Sequence, residues 1–360
     1  MCHNWQTPRF ARAVAMQCTL LIPDLFWPRE TAAGVTRDLD LPALTRLLAR
    51  ARAERHPALT IEAWLCGAFE VEREQDWPVA PLTLAIDGGE PGSAYWLRAD
   101  PVHLKVERSR LLLVDNALFD ITPAEAQTLA GFLNAHFAAE GIEFQPRAPK
   151  RWYVSVPRAP QLVTHSPFDA AGKDVRQYLP SGADALDWHR RFNEVQMLLH
   201  EHAVNEAREA RGEPAVNSVW FWGGGTRPRA RGGHFSAVWS DDALACALAT
   251  VADTDAHGLP ADAASWLAVA VPPAPDERAH LVVLGQLSSA MRYGDSDAWR
   301  ARARELETQW LAPLATALRQ GRLSHLTIVV PGAESCWRFA LARGDLLKFW
   351  RGTKPLAAYA

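Results

Sequence analysis

No serine occurs in the first 92 residues, and no Asp-His dipeptide occurs anywhere in the 360-residue chain. Lysine is scarce: Lys105, Lys150, Lys173, Lys348 and Lys354 are the whole set, so the basic charge is nearly all arginine. Beside so much Ala, Leu and Pro, that bias points to the base composition of the gene before it points to guanidinium forks for anions. The five cysteines, Cys2, Cys18, Cys66, Cys246 and Cys336, are scattered without a CxxC pair. That excludes a disulfide framework and a cysteine zinc site. No apolar run reaches the roughly 18 residues of a membrane span. Residues 1–15 are polar and lack a secretory apolar region. They read as a tail or a misplaced start, because Met16 directly precedes the first strand, and a cytoplasmic protein is expected. The net charge of −3 predicts no nucleic-acid partner and no anionic membrane surface.

What is present is an ordinary globular composition, 48% apolar and 22% charged. The length suggests two domains. Fifteen tryptophans predict core ballast, with a minority free for a binding face. The most informative stretch runs from Leu198 to Pro228. Leu198, Leu199, Ala203, Ala207 and Ala210 share one face of a helix, which Gly212 and Pro214 end. Ser218 to Trp222 is too apolar for a half-exposed strand and reads as a central one. Gly223, Gly224 and Gly225 then form a tight turn or a ligand-facing loop at a strand end. No Lys follows, so this is not a phosphate-cradling GxxxxGK[ST] loop.

Elsewhere, Cys18 to Asp24 reads as a buried parallel strand with an acid at its carboxyl end. A helix is expected from Pro42 to about Glu54 and another around Ile61 to Phe69. Residues 77–95, rich in Pro and Gly, mark a boundary. Val102 to Val114 and Trp152 to Val156 read as strands, with a Thr122 capping box between them. Beyond Pro228 the spacing predicts strands at His234–Trp239, Trp266–Val271, His280–Gly285 and His325–Val330. Asp241 opens a helix to Ala252, Asp295 or Ser296 opens a long one, and Trp337–Ala342 with Leu346–Trp350 forms a closing hairpin. Alternation at both ends with a different pattern between predicts an α/β sheet interrupted by an inserted domain.

Residues 164–228 resemble the archaeal-type cofactor-independent phosphoglycerate mutases of the alkaline-phosphatase superfamily. The resemblance rests on Asn205 in HAVNEAR, on Gly212, Pro214, Ala215 and Asn217 in RGEPAVN, and on Gly223 and Gly225. THSPFDAAGKDV, YWLRADPVHL, DITPAEAQTLAGFLN, PKRWYVSV, LIPDLFWP and LPALTRLLARA extend it through most of the chain. The chain also resembles the bacterial branch described as RpfE-type regulatory proteins. The resemblance implies a three-layer α/β/α core, residues 1–80 and 165–360, with a smaller α+β cap inserted at 81–164. It further implies two divalent metals held by Asp and His, and a Ser nucleophile. Such metals stabilise the attacking and leaving oxygens together, and they need O and N ligands from several strand ends.

Against that pattern, Asp24 matches the first metal-ligand Asp and is the only family-like ligand. Thr60 is the sole hydroxyl where the nucleophile belongs, since Cys66 reads as core. An Asp with a His four residues on is replaced by Gln286-Leu287-Ser288-Ser289-Ala290, and the Asp-His pair by Pro331-Gly332-Ala333-Glu334. The final His is missing too. His280 and His325 begin their strands, at the end of the sheet away from any site. Asp253, Asp255 and His257 look ligand-like only in isolation, and Asp295 and Asp297 read as helix caps. Arg98 and Arg151 fall near the cap arginines that meet phosphate in the family, with solvated surface arginine as the alternative. Asn205 and Asn217 can equally satisfy backbone at turns.

The reading is therefore a mutase-like protein without its two-metal site and Ser nucleophile, binding or regulatory, with no cofactor expected and a phosphorylated small molecule or a protein as partner. The alternative is an active metal-dependent phosphotransferase, with Mn, Mg or Zn, that uses Asp24, Thr60 and acids such as Glu62 or Glu334. A third reading is an interaction module with exposed Trp faces. Burial of Trp220, Trp222 and Gly223–Gly225 removes a ligand role there.

Overall fold

The computed structural model describes residues 16–108, 110–229, 234–270 and 279–360; residues 1–15 and Val271 lie outside them. Twelve strands form two sheets among the described residues. In chain order they are β1 (Met16–Leu21), β2 (Arg52–Leu59), β3 (Tyr95–Glu107), β4 (Arg110–Val114), β5 (Glu143–Ala148) and β6 (Arg151–Val156). There follow β7 (Ser218–Gly225), β8 (Ala237–Trp239), β9 (Asp255–His257), β10 (Ala279–Val283), β11 (Leu323–Val330) and β12 (Gly332–Ala342).

The main sheet has the order β2-β12-β11-β1-β10-β8-β9. From β11 to β9 all pairings are parallel, and β12 and β2 add antiparallel edges. Period-two alternation sends β1 to both faces at once. Cys18 and Leu20 join one apolar cluster with Val282 and Ile328, while Leu21 joins the other with Val283 and Val329. A strand covered on both sides must be apolar throughout, which is why CTLLI carries no charge. The helices Pro42–Arg50, Ala263–Ala270, Ser296–Leu306 and Ala312–Gln320 pack on the first face. Ile61–Ala68 and Ala243–Val251 pack on the second. This is the expected three-layer α/β/α core.

The second sheet has the order β4-β3-β6-β5, with β7 paired antiparallel to β3. Ser218–Trp222 is thus a buried strand, as its composition required, but its partner is β3 and not the parallel core. The sheet of the inserted part reaches Gly225, past the limit of 164 expected from the sequence. Gly223–Gly225 complete β7 and are buried, so the ligand-facing loop is corrected to a packing run. Gly223 has φ of +64°, and a Cβ on Gly225 would lie 2.6 Å from Pro78 Cβ. Trp220 and Trp222 are buried as well, which removes a ligand role for this stretch. Gly225→Ala is expected to destabilise the chain by about 1–3 kcal/mol through overpacking, read as a lower denaturant midpoint.

Asn205 and Asn217, which also carry the resemblance, are fasteners. Asn205 Nδ2 donates to Leu199 O at 2.7 Å and Val216 O at 2.9 Å, and its Oδ1 accepts from Val216 N. Asn217 does the same for Leu104 on β3. Asp295 caps Ser296–Leu306, and Thr122 makes its capping box. Three local readings are corrected. Trp266 lies in the Ala-rich helix Ala263–Ala270, which Asp262 opens by accepting from Ser265 N at 2.7 Å. The helix from Pro42 ends at Arg50, and the charged run after it is edge strand β2. Leu346–Trp350 forms no strand, so the hairpin partner of β12 is β11.

Candidate functional site

The carboxyl end of the parallel core gathers side chains from five separate segments. Asp24 follows β1 in a left-handed turn, φ 60°, a conformation that Asp tolerates better than most residues. Its carbonyl accepts Trp299 Nε1 at 2.9 Å, which fixes the turn. Burial raises the Asp24 carboxyl above its usual range, a hydrogen bond from Ser288 and the charge of Arg292 pull it down, Asp169 raises it and Lys173 lowers it. Ser288 and Arg292 belong to the short helix Ser288–Arg292 that follows β10. Asp169 and Lys173 come from the segment between β6 and β7.

Thr60 caps the helix Ile61–Ala68, its Oγ1 accepting from Ala63 N at 3.2 Å. It is exposed, at the carboxyl end of β2. Beside it Glu62 is buried, and burial, followed by the charge of Asp169, pushes its carboxyl up to about 7. The Glu62 backbone and the Thr60 hydroxyl hold it lower than burial alone would, while Asp242 raises it further. Asp242, not Asp241, caps Ala243–Val251 after β8, accepting from Ala245 N at 2.9 Å. Burial raises its carboxyl too, against its backbone donors and the charges of Arg98 and Arg151.

Arg98 and Arg151 are therefore within electrostatic reach of the cluster, but both guanidiniums are engaged. Arg98 is buried and donates Nε and Nη2 to Asp100 Oδ1 at 3.0 and 2.6 Å. It sits 5.2 Å from the Tyr153 ring and 5.4 Å from the Trp222 ring. Arg151 forks onto Asp87 at 2.8 and 2.5 Å, and Tyr153 Oη donates to the same carboxylate at 2.6 Å. Neither fork is free as expected: in each the Nε–Nη2 edge is spent on a carboxylate of the chain, which leaves at most the Nη1 side of the guanidinium for a ligand. Solvated surface arginine is no better a description of Arg98.

Arg292 links the segment after β10 to the second sheet. Its Nη1 donates to Asp115 Oδ2 at 2.9 Å, and Asp115 is buried at the end of β4. Its guanidinium lies 4.6 Å over the Phe168 ring. Next to it, Tyr293 Oη accepts from Asp115 N at 3.1 Å. Glu334 is exposed on β12, and Asp255 and His257 are exposed on edge strand β9.

Divalent metals fit this donor set poorly. No group of three or more His, Cys, Asp or Glu converges to hold an ion among the described residues. No histidine acts on Asp24, and two of its charged neighbours are cations, which repel a divalent ion at short range. His280 and His325 lie near the amino ends of β10 and β11, as expected.

No family model matches the chain. It is 28% identical over 158 residues to a probable 2,3-bisphosphoglycerate-independent phosphoglycerate mutase of Geobacter sulfurreducens. That match covers 43% of this chain and 39% of the relative. It is also 28% identical over 120 residues to a 2,3-bisphosphoglycerate-independent phosphoglycerate mutase of Methanosarcina mazei, 33% of this chain and 30% of that one. The matched stretches thus span well under half of these relatives. Among solved structures, a cofactor-independent phosphoglycerate mutase from Thermoplasma acidophilum superposes with a TM-score of 0.50 at 12% identity, covering 96% of this chain and 95% of its own. The chain is phosphoglycerate-mutase-like in sequence and in fold. The PH0037 protein of Pyrococcus horikoshii superposes at 0.54 and 11% identity, over 96% and 93% of the two chains. In this phosphoglycerate-mutase-like frame, Asp24 follows β1 and Thr60 opens the helix Ile61–Ala68. Arg292, Asp169 and Asp242 escaped notice, and Ser288 entered only as part of a run standing in place of an Asp and a His. Lys173, one of five lysines in the chain, carried a signal by its rarity.

Proposed function

We propose that the chain is a phosphoglycerate-mutase-like protein that does not run a two-metal phosphoryl transfer and acts by binding, in a regulatory role. The observation that supports this is the company of Asp24: Ser288, Arg292 and Lys173 act on its carboxylate, with Asp169 the one other acid. A metal-assisted displacement needs several anionic or imidazole ligands around each ion. An arginine that already bridges to Asp115 takes that place with a fixed charge. The ligand class we assign is a phosphorylated small molecule.

The test is elemental analysis of protein purified from buffers supplemented in turn with Mn, Mg and Zn, alongside an assay on 2- and 3-phosphoglycerate. We expect substoichiometric metal and no turnover. Two tightly bound ions per chain, or turnover that follows their addition, would sink the reading.

A second reading has its own observation. The Thr60 hydroxyl faces a Glu62 carboxyl near neutral in pKa, which is a nucleophile beside a base of suitable strength. In that case turnover of an aryl phosphate would be measurable and would vanish in Thr60→Ala.

A further inference from the structure

The charge of the chain is unevenly spread. Residues 343–354 carry Arg343, Lys348, Arg351 and Lys354 against Asp345 alone, whereas the whole chain is at −3. One more arginine is drawn to this segment. Arg50 Nη1 donates to Leu346 O at 2.6 Å, and Arg351 Nη1 donates to Ala51 O at 3.0 Å, next in chain to Arg52, which pairs with Glu54. From the middle of this basic patch three large apolar side chains stand out. Leu347 is 73% exposed, Phe349 81% and Trp350 69%, and the two rings meet edge to face at 5.4 Å.

We propose that this face docks on an anionic lipid surface. Side chains this exposed protrude and do not line a groove, so a rigid partner would need a matching pocket for each. A fluid interface needs none and accepts Trp, Phe and Leu at headgroup depth. The surrounding cations supply attraction to anionic headgroups, which a neutral bilayer lacks. Local charge decides such contacts, because it acts within about a Debye length of the surface. The whole-chain balance that argued against a membrane surface averages this segment away. No helix among the described residues is long and apolar enough to cross a membrane, so the contact is peripheral. The proposal does not depend on the chemistry at Asp24.

The test is co-sedimentation of the full chain with phosphatidylcholine vesicles, with and without phosphatidylglycerol. Wild type is compared with Phe349→Ser/Trp350→Ser and with Lys348→Gln/Arg351→Gln/Lys354→Gln. We expect binding to the anionic vesicles only, release at high salt, and a loss of about tenfold or more in each variant. The Ser variant changes only exposed side chains, so an unaltered melting curve confirms that it folds. Absence of sedimentation with anionic vesicles overturns the proposal, as does equal binding by the variants. A concentration-dependent dimer that Phe349→Ser/Trp350→Ser abolishes also overturns it, by assigning the face to a second copy.

Discussion

Arg292→Ala is expected to lower stability by about 3–5 kcal/mol, the usual cost of stranding one member of a buried ion pair. The side chain of Asp115 is 2% exposed and that of Arg292 15%, so water cannot take over the lost charge. Removing the guanidinium leaves the Asp115 carboxylate with only neutral donors, Ala117 N at 2.9 Å and the Tyr293 hydroxyl. The same change strips the cation from the face of Phe168 and from the neighbourhood of Asp24. Asp115→Asn in the Arg292→Ala background removes the stranded charge while keeping an oxygen for Ala117 N. It should recover a large share of the loss, because a neutral amide costs far less to bury than a carboxylate. Urea unfolding of the two single variants and the double variant measures the coupling directly. Additive losses, with no recovery in the double variant, would show that the pair carries no special energy.

That pair also explains how much of the molecule could be read from its residues. The strands β1, β10 and β11 announced themselves as short apolar runs, since burial on both faces leaves no room for polar alternation. The caps at Thr122 and Asp295 were legible because capping is settled within four residues. The partner of β7 was not legible. An apolar run specifies that Ser218–Trp222 is buried, while its pairing with β3 depends on residues more than a hundred positions away. Trp266 was misread for a different reason. A short apolar segment fits a buried strand or a buried helix equally, and the alanines around it and the Asp262 cap decide for the helix.

The site follows the same logic. The positions of Asp24 and Thr60 were legible because the first ends a short apolar run and the second is the one hydroxyl at the start of the helix Ile61–Ala68. The rest of the cluster is drawn from Glu62, Asp169, Lys173, Asp242, Ser288 and Arg292, and no spacing rule links them. Arg98 and Arg151 were legible as arginines, but their pairing with carboxylates of the chain was not. Their partners Asp100 and Asp87 were in plain view, two and sixty-four residues away. Nothing local to a guanidinium says whether its fork closes on a carboxylate of the same protein or on a ligand.

Glu62→Gln is expected to stabilise the protein at pH 8 and to do little at pH 4. The folded state holds this carboxyl at about 7, above the ordinary 4.5, so folding favours the protonated form. Below about 4.5 both folded and unfolded chains are protonated, and the group contributes no pH-dependent term. Between 4.5 and 7 the unfolded chain releases its proton first, so stability falls as pH rises. Above 7 the folded protein carries a buried carboxylate, at a cost of about 3 kcal/mol for a shift of this size. Gln keeps the side-chain shape and an oxygen to accept from the Thr60 hydroxyl, and it has no proton to lose. The difference in unfolding free energy between Glu62→Gln and wild type should therefore grow from near zero at pH 4 to about 2–3 kcal/mol at pH 8. Urea titrations at both pH values check it. A difference that stays flat with pH would place the Glu62 carboxyl in water, and would remove the base from the Thr60 pair at the same stroke.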